Sequence, residues 1–310
     1  MPQASGTKGE PRRPNIVVIL ADDMGFSDIG CFGAEIRTPN LDGLARRGVR
    51  FTQAYNCARC CPTRASLLTG LYPHQAGVGH MVGDAHLPGY RGFLNDRCMT
   101  IAEALRPAGY RTCMSGKWHV GGHYAARTPE KWTPGAPGFP IPVQRGFDEH
   151  YGTLAGAANY YDPYTLIRND TFLRAEGDDY YYTDAISDEA AGMVRRAAEA
   201  AQPLFLYVAY TAPHWPLHAP PEDVERYRGA YRGGWDAVRA ARHERLRAAG
   251  LLDARWPISP RDAQAPPWAD VTHKDWEDAR MAVYAAQIDR MDQGIGRILA
   301  ELRRSGLEEN

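Results

Sequence analysis

Asn15–Ala21 reads NIVVILA and runs straight into Asp22-Asp23. A continuous apolar run of this length, rich in β-branched residues, is the pattern of a strand covered on both faces. Pro203–Tyr210 (PLFLYVAY) repeats it, and Tyr110–Trp118 (YRTCMSGKW) gives a third, more mixed run. Helix-like stretches lie between and beyond them. Asn40–Arg47 opens at Pro39-Asn40 and closes at Gly48; Thr100–Pro107 closes at Gly109; Thr183–Ala201 is rich in alanine. Trp235–Ala249 is a short helical segment inside an otherwise irregular 211–280. Met281–Leu302 places apolar residues at 281, 284, 288, 291, 295, 298, 299 and 302, one buried stripe on a helix of about six turns. Strands alternating with helices predict an α/β fold with a largely parallel central sheet flanked by helices. Ala125–Pro142 and 211–280 read as long loops, which in a compact domain are usually functional.

Composition narrows the function classes. The 310 residues carry 36 basic and 37 acidic side chains, a formal charge of −1. Such a balance gives no basic field for nucleic acid or an anionic membrane. The longest apolar runs are roughly six or seven residues against the ~20 a membrane helix needs. Residues 1–13 have no apolar stretch of a signal peptide and read as a disordered tail, so a cytoplasmic location is expected. A chain of this size buries about 75% of its unfolded surface and needs no disulfide framework. Its six cysteines, at 31, 57, 60, 61, 98 and 113, are half clustered within five positions, a layout for local chemistry.

In open α/β sheets, ligands bind beyond the carboxyl ends of the strands. Polar groups follow each predicted strand at once: Asp22-Asp23, then Lys117 and His119, then His214. The aspartates offer hard oxygens suited to Ca²⁺ or Mg²⁺. Lys117, one of four lysines against 32 arginines, closes an apolar segment, so its charge calls for a partner or a substrate anion. His119 and His214 suit proton transfer near neutrality. In Asn56–Gly70, NCARCCPTRASLLTG, Pro62 fits the first turn of a helix and Cys60 falls at its N-terminus, where the dipole favours a thiolate or oxyanion. Arg64, one turn on, can return toward the same site. Cys57-x-x-Cys60 also matches the spacing of a dithiol redox motif, while zinc lacks a second pair of ligands.

Cys60-Cys61-Pro62-Thr63-Arg64 fits the C-x-P-x-R signature of the type I sulfatases in one frame only. Asp22-Asp23-Met24-Gly25, Thr38–Asp42, Leu68–His74, Gly116-Lys117-Trp118-His119 and Ala212-Pro213-His214 resemble further blocks of that family in its order. HWPLHAP (214–220) and 281–299 resemble its arylsulfatase branch. The resemblance spans about 14–310 and implies the alkaline phosphatase-like fold and hydrolysis of a small sulfate ester, of the aryl type. It implies that a formylglycine-generating enzyme oxidises Cys60 to formylglycine. One hydroxyl of the hydrate would attack sulfur and the other would expel sulfate. By the same resemblance Asp22, Asp23 and the oxygen at 60 bind Ca²⁺ (or Mg²⁺), and Arg64 holds that region. Lys117 would bind the sulfate, His119 assist collapse of the intermediate, and His214 serve the leaving oxygen.

The family's second metal pair, an Asp followed by Asn, and a further lysine have no counterpart in this sequence. The expectation is therefore a catalytic domain over 14–310 that is incomplete at its C-terminus, without the later metal-ligand strand and C-terminal subdomain. Three alternatives stay open: a phosphonate or phosphodiester hydrolase with the same machinery, a C-x-x-C thiol oxidoreductase, and a non-catalytic remnant binding metal or anion. The aromatic segments 150–170 and 215–221 are expected to be loops that could face an aryl group.

Overall fold

The computed structural model describes residues 13–310; the tail expected over 1–13 lies, but for Arg13, outside them. A six-stranded sheet forms the centre, in the order β1-β6-β2-β3-β4-β5. β1 (Ile16–Asp22), β2 (Arg111–Gly116), β3 (Glu149–Thr153) and β6 (Leu204–Pro213) run parallel, while β4 (Leu166–Arg168) and β5 (Thr171–Phe172) turn antiparallel at one edge. The mixed α/β class expected from the sequence holds.

β6 is the spine, and all ten of its residues are buried. Its alternation sorts the core. Leu204, Leu206, Val208, Tyr210 and Ala212 face α4 (Tyr182–Glu199) and the C-terminal half of α7 (Lys274–Arg304). Phe205, Tyr207 and Ala209 point to the other side, among Cys61, Ala65 and Leu68 of α2 (Cys60–Thr69) and Ala102 of α3 (Ile101–Leu105). Helices on both faces are what a parallel sheet requires.

Three expectations need correction. β1 is only half-buried along Ile16–Ala21: it carries the apolar run of a covered strand but occupies the sheet edge, where no described strand pairs with its outer side. Residues 150–170 are not simply a pocket loop; most of β3 and all of β4 lie within them, and His150 is fully buried. α7 begins at Lys274, seven residues before the apolar stripe. Asp275 and Glu277 in its first turn and Arg303 and Arg304 in its last complement the helix dipole, which apolar periodicity does not register. Within 211–280 the structure adds a short α5 (Pro221–Glu225) to the expected helix, here α6 (Gly234–Ala248).

Register brings the strand ends together. Leu20 pairs with Ala209, and Ala209 pairs on its other side with Gly116. Asp22, Lys117 and His214 therefore emerge from three adjacent strands at one end of the sheet. Gly116 is obligatory there: its φ is +116°, and a Cβ would lie 2.0 Å from the Ala209 carbonyl oxygen. α1 (Pro39–Arg47) is held to α7 by a buried carboxylate. Asp292 accepts from the Asn40 and Leu41 backbone amides at 3.1 and 2.8 Å, capping a helix that has no side-chain cap of its own.

Candidate active site

Asp22 ends β1 with 5% of its surface exposed. Lys117, wholly buried, donates to its Oδ2, and Arg64 Nη2 lies 3.5 Å from the same oxygen. Burial alone would raise the Asp22 carboxyl, but Arg64 and Lys117 outweigh it and hold the group below its ordinary value. Burial and the nearby Arg64 pull Lys117 downward, with Asp22 opposing them. Arg64 comes from one turn inside α2. Its Nη1 donates to the Lys117 carbonyl at 3.0 Å and to the Tyr207 hydroxyl at 3.2 Å, so the guanidinium ties α2 to β2 and β6.

Cys60 is the first residue of α2, and Arg59 before it provides no side-chain cap. The helix N-terminus thus presents free backbone amides beside the half-buried Cys60. The sulfurs of Cys60 and Cys61 and a nitrogen of His119 lie within 4.8 Å of one another. A hydrogen bond from Cys61, with further help from His119 and Lys117, holds the Cys60 thiol well below its ordinary range, while Cys61 is pushed up by the same contact and by burial. Cys57 does not join the pair: its Sγ approaches Ser66 Oγ at 3.4 Å, and all six cysteines are free thiols.

His119 follows Lys117 by two residues and adopts a φ of +54°. Its Nε2 lies 3.4 Å from Cys61 Sγ. Gly156 backs the ring so closely that a Cβ there would fall 2.2 Å from His119 Cε1. Burial lowers the imidazole to about 4, so it is neutral at pH 7. His214 stands at the rim, its Nε2 3.4 Å from Asp23 Oδ2. Asp23, unlike Asp22, is exposed. A cavity of about 510 Å³ opens beside His119 and His214, lined by Cys60, Met81, Tyr124, Tyr164 and Trp215 among others.

The structure thus gathers Asp22, Cys60, Arg64, Lys117 and His119 into one cluster, with Asp23 and His214 beside it. Whether these residues suit Ca²⁺ is a question of donor count. Asp22 and Asp23 have the right hard oxygens, but the ion takes six to eight. Among the described residues the one cluster of three or more metal-capable side chains is Cys60, Cys61 and His119, two sulfurs and a nitrogen. The oxygen donors present do not by themselves make a complete calcium site.

Several positioning residues carry no sequence signal. The Tyr160 hydroxyl donates to the His214 carbonyl at 2.8 Å. Tyr160 lies in the 150–170 segment that could face an aryl group; it is 1% exposed and packs on Tyr181. Asp28 accepts from the Gly25 amide at 2.7 Å and from the Tyr284 hydroxyl at 2.6 Å, fixing the loop after Asp23. A tyrosine and an aspartate in irregular segments are both common, and only the fold brings them to the site.

A family model described as Sulfatase matches residues 14–310. An uncharacterized sulfatase of Schizosaccharomyces pombe is 34% identical over 333 residues, covering 99% of this chain and 57% of that protein. An arylsulfatase of Klebsiella aerogenes is 35% identical over 316 residues, covering 97% and 65% respectively. Among solved structures, Ps i-CgsB in complex with k-i-k-neocarrahexaose superposes with a TM-score of 0.67 at 27% identity, over 96% of this chain and 56% of that one. The chain spans less than two thirds of the length of these relatives. It belongs to the sulfatase family, of the alkaline phosphatase-like superfamily.

Proposed function

We propose that this chain carries the nucleophile-bearing part of a sulfuric ester hydrolase of the arylsulfatase type, with Cys60 as the residue converted to formylglycine. The observation that carries the reading is the surrounding of Cys60: a helix N-terminus, the buried cations Lys117 and Arg64, and a neutral imidazole converge on one side chain. Cys57, the partner that the C-x-x-C spacing suggests, is turned to Ser66, and this weighs against the dithiol alternative.

Once formed by a formylglycine-generating enzyme, the hydrated aldehyde supplies a nucleophilic hydroxyl at residue 60. This chain's own groups do the rest. His119, uncharged at pH 7, accepts a proton from a hydroxyl at 60; help of this kind is worth about 10²–10⁴-fold. Lys117, with the α2 amides, offsets charge on the sulfuryl oxygens, a fixed arrangement that needs no reorganisation during reaction. Arg64 keeps α2 and β2 in register around them. His214 at the rim of the cavity is the group for the leaving oxygen, held by Tyr160. Tyr124, Tyr164 and Trp215 give the cavity aromatic walls, which favours an aryl ester.

Asp22 and Asp23 are the candidate calcium ligands, with Mg²⁺ as the substitute. Two carboxylates are too few, so we infer that residues 14–310 form an incomplete catalytic domain whose activity alone is low. The test is hydrolysis of p-nitrophenyl sulfate by the converted chain. The expected result is turnover far below that of the Klebsiella aerogenes arylsulfatase but above a Cys60→Ala variant. Turnover equal to the relative's would overturn the incomplete site. Turnover no higher than that of Cys60→Ala would overturn the sulfatase assignment of this cluster.

A further inference from the structure

We propose that, while residue 60 is still cysteine, the chain binds one Cu(I) ion through Cys60, Cys61, Met81 and His119. Cys61 Sγ stands 3.4 Å from His119 Nε2 and 3.8 Å from Met81 Sδ, and the Cys60 sulfur completes the group within 4.8 Å of Cys61 and His119. Two sulfurs bonded to one ion at about 2.3 Å stand about 3.8 Å apart in tetrahedral geometry; Cys61 and Met81 already have that spacing, and Cys60 has at most about 1 Å to close.

The donor set chooses the metal. Two thiolates and a thioether are soft ligands that suit Cu(I), and imidazole suits copper too. Zinc sites draw on Cys, His and carboxylate and do not use methionine. Calcium and magnesium take oxygen, and the nearest buried carboxylate, Asp22, is engaged by Lys117. Charge agrees as well. Two thiolates and Cu⁺ carry a net −1 beside the buried Lys117 and Arg64 cations. Binding releases the thiol protons to solvent and transfers no electron.

The site is also pre-formed and reachable. Cys60 and Cys61 are the first two residues of α2, and the His119 ring is fixed against Gly156. Cys60, Met81 and His119 line the cavity of about 510 Å³, while Cys61 is fully buried behind them. The inference concerns the thiol form and stands independently of sulfate-ester hydrolysis. Its consequence is that copper and conversion compete for Cys60.

The experiment uses the 310-residue chain made in a host without the modifying enzyme, its Cys60 thiol verified by mass spectrometry. Cu(I) is supplied anaerobically as its bicinchoninate complex. One equivalent should pass from chelator to protein, and iodoacetamide should then fail to alkylate Cys60. Cys61→Ser and the volume-conserving Met81→Leu, both checked for folding by circular dichroism, should each weaken Cu(I) by at least about 10-fold. Met81→Leu should leave Zn²⁺ affinity unchanged. Copper kept by the chelator, equal uptake by Cys60→Ser/Cys61→Ser, or an unaltered affinity in Met81→Leu would each overturn the proposal.

Discussion

Replacing Asp22 by asparagine removes a charge at nearly constant size, and it isolates the electrostatic centre of the cluster. Lys117 is 0% exposed and Arg64 1%, so neither can turn to water when the carboxylate goes. In Asp22→Asn these two buried cations lose the oxygen they share, to which Lys117 donates and from which Arg64 Nη2 stands 3.5 Å away. Breaking a buried pair from one side costs about 3–5 kcal/mol, because charge stays buried without its partner. Removing Lys117 as well leaves one unpaired cation in place of two, so Asp22→Asn/Lys117→Met should be less destabilised than Asp22→Asn alone. That ordering separates charge from packing: lost packing would accumulate in the double variant, whereas an orphaned charge is relieved. Equilibrium unfolding in urea, followed by circular dichroism, measures all three. A cost below about 1 kcal/mol for the single variant, or a double variant at least as destabilised, would refute the reasoning.

The remaining predictions concern the histidines, one glycine and one helix cap. Burial lowers His119 and His150 to about 4, against ~6.5 for an exposed imidazole, so between these values the folded chain binds fewer protons than the unfolded one. Stability is then complete above about pH 6.5 and falls toward pH 4, by roughly 3 kcal/mol per histidine. His150→Gln should flatten its share of the slope in urea midpoints; an unchanged slope would contradict it. Gly156→Ala drives a methyl into the His119 ring and should cost about 1–3 kcal/mol while shifting the ring's NMR signals. Unperturbed signals would mean the ring is not clamped there. Asp292→Ala leaves the α1 amides of Asn40 and Leu41 without their acceptor, an expected loss of about 1–3 kcal/mol in the same urea experiment.

Strand ends were the most legible part of this chain. NIVVILA and LFLYVAY declare buried strands by their continuous apolar character, and the polar residues after them fall at the site because parallel strands end together. β3 was hidden: Glu149–Thr153 mixes Glu, His, Tyr, Gly and Thr, and His150 is buried there as a neutral ring. Pairing order was equally silent. Pro203–Tyr210, the last of the three apolar runs along the chain, lies between the other two, and β1, for all its hydrophobicity, stands at the edge. Spacing suggested Cys57 as the partner of Cys60, but a helix start brings Cys61 to it and leaves Cys57 outside. Tyr207, which holds Arg64 from within β6, reads in the sequence as one more core aromatic.

Residue 60 is the proposed site of modification and the proposed nucleophile. The direct measurement is mass spectrometry of the tryptic peptide Cys60–Arg64 from protein made together with a formylglycine-generating enzyme. The expected peptide is one in which residue 60 alone has exchanged a sulfur and two hydrogens for an oxygen, and which reacts with an aldehyde-specific hydrazide. A peptide that keeps both thiols under those conditions would contradict that proposal.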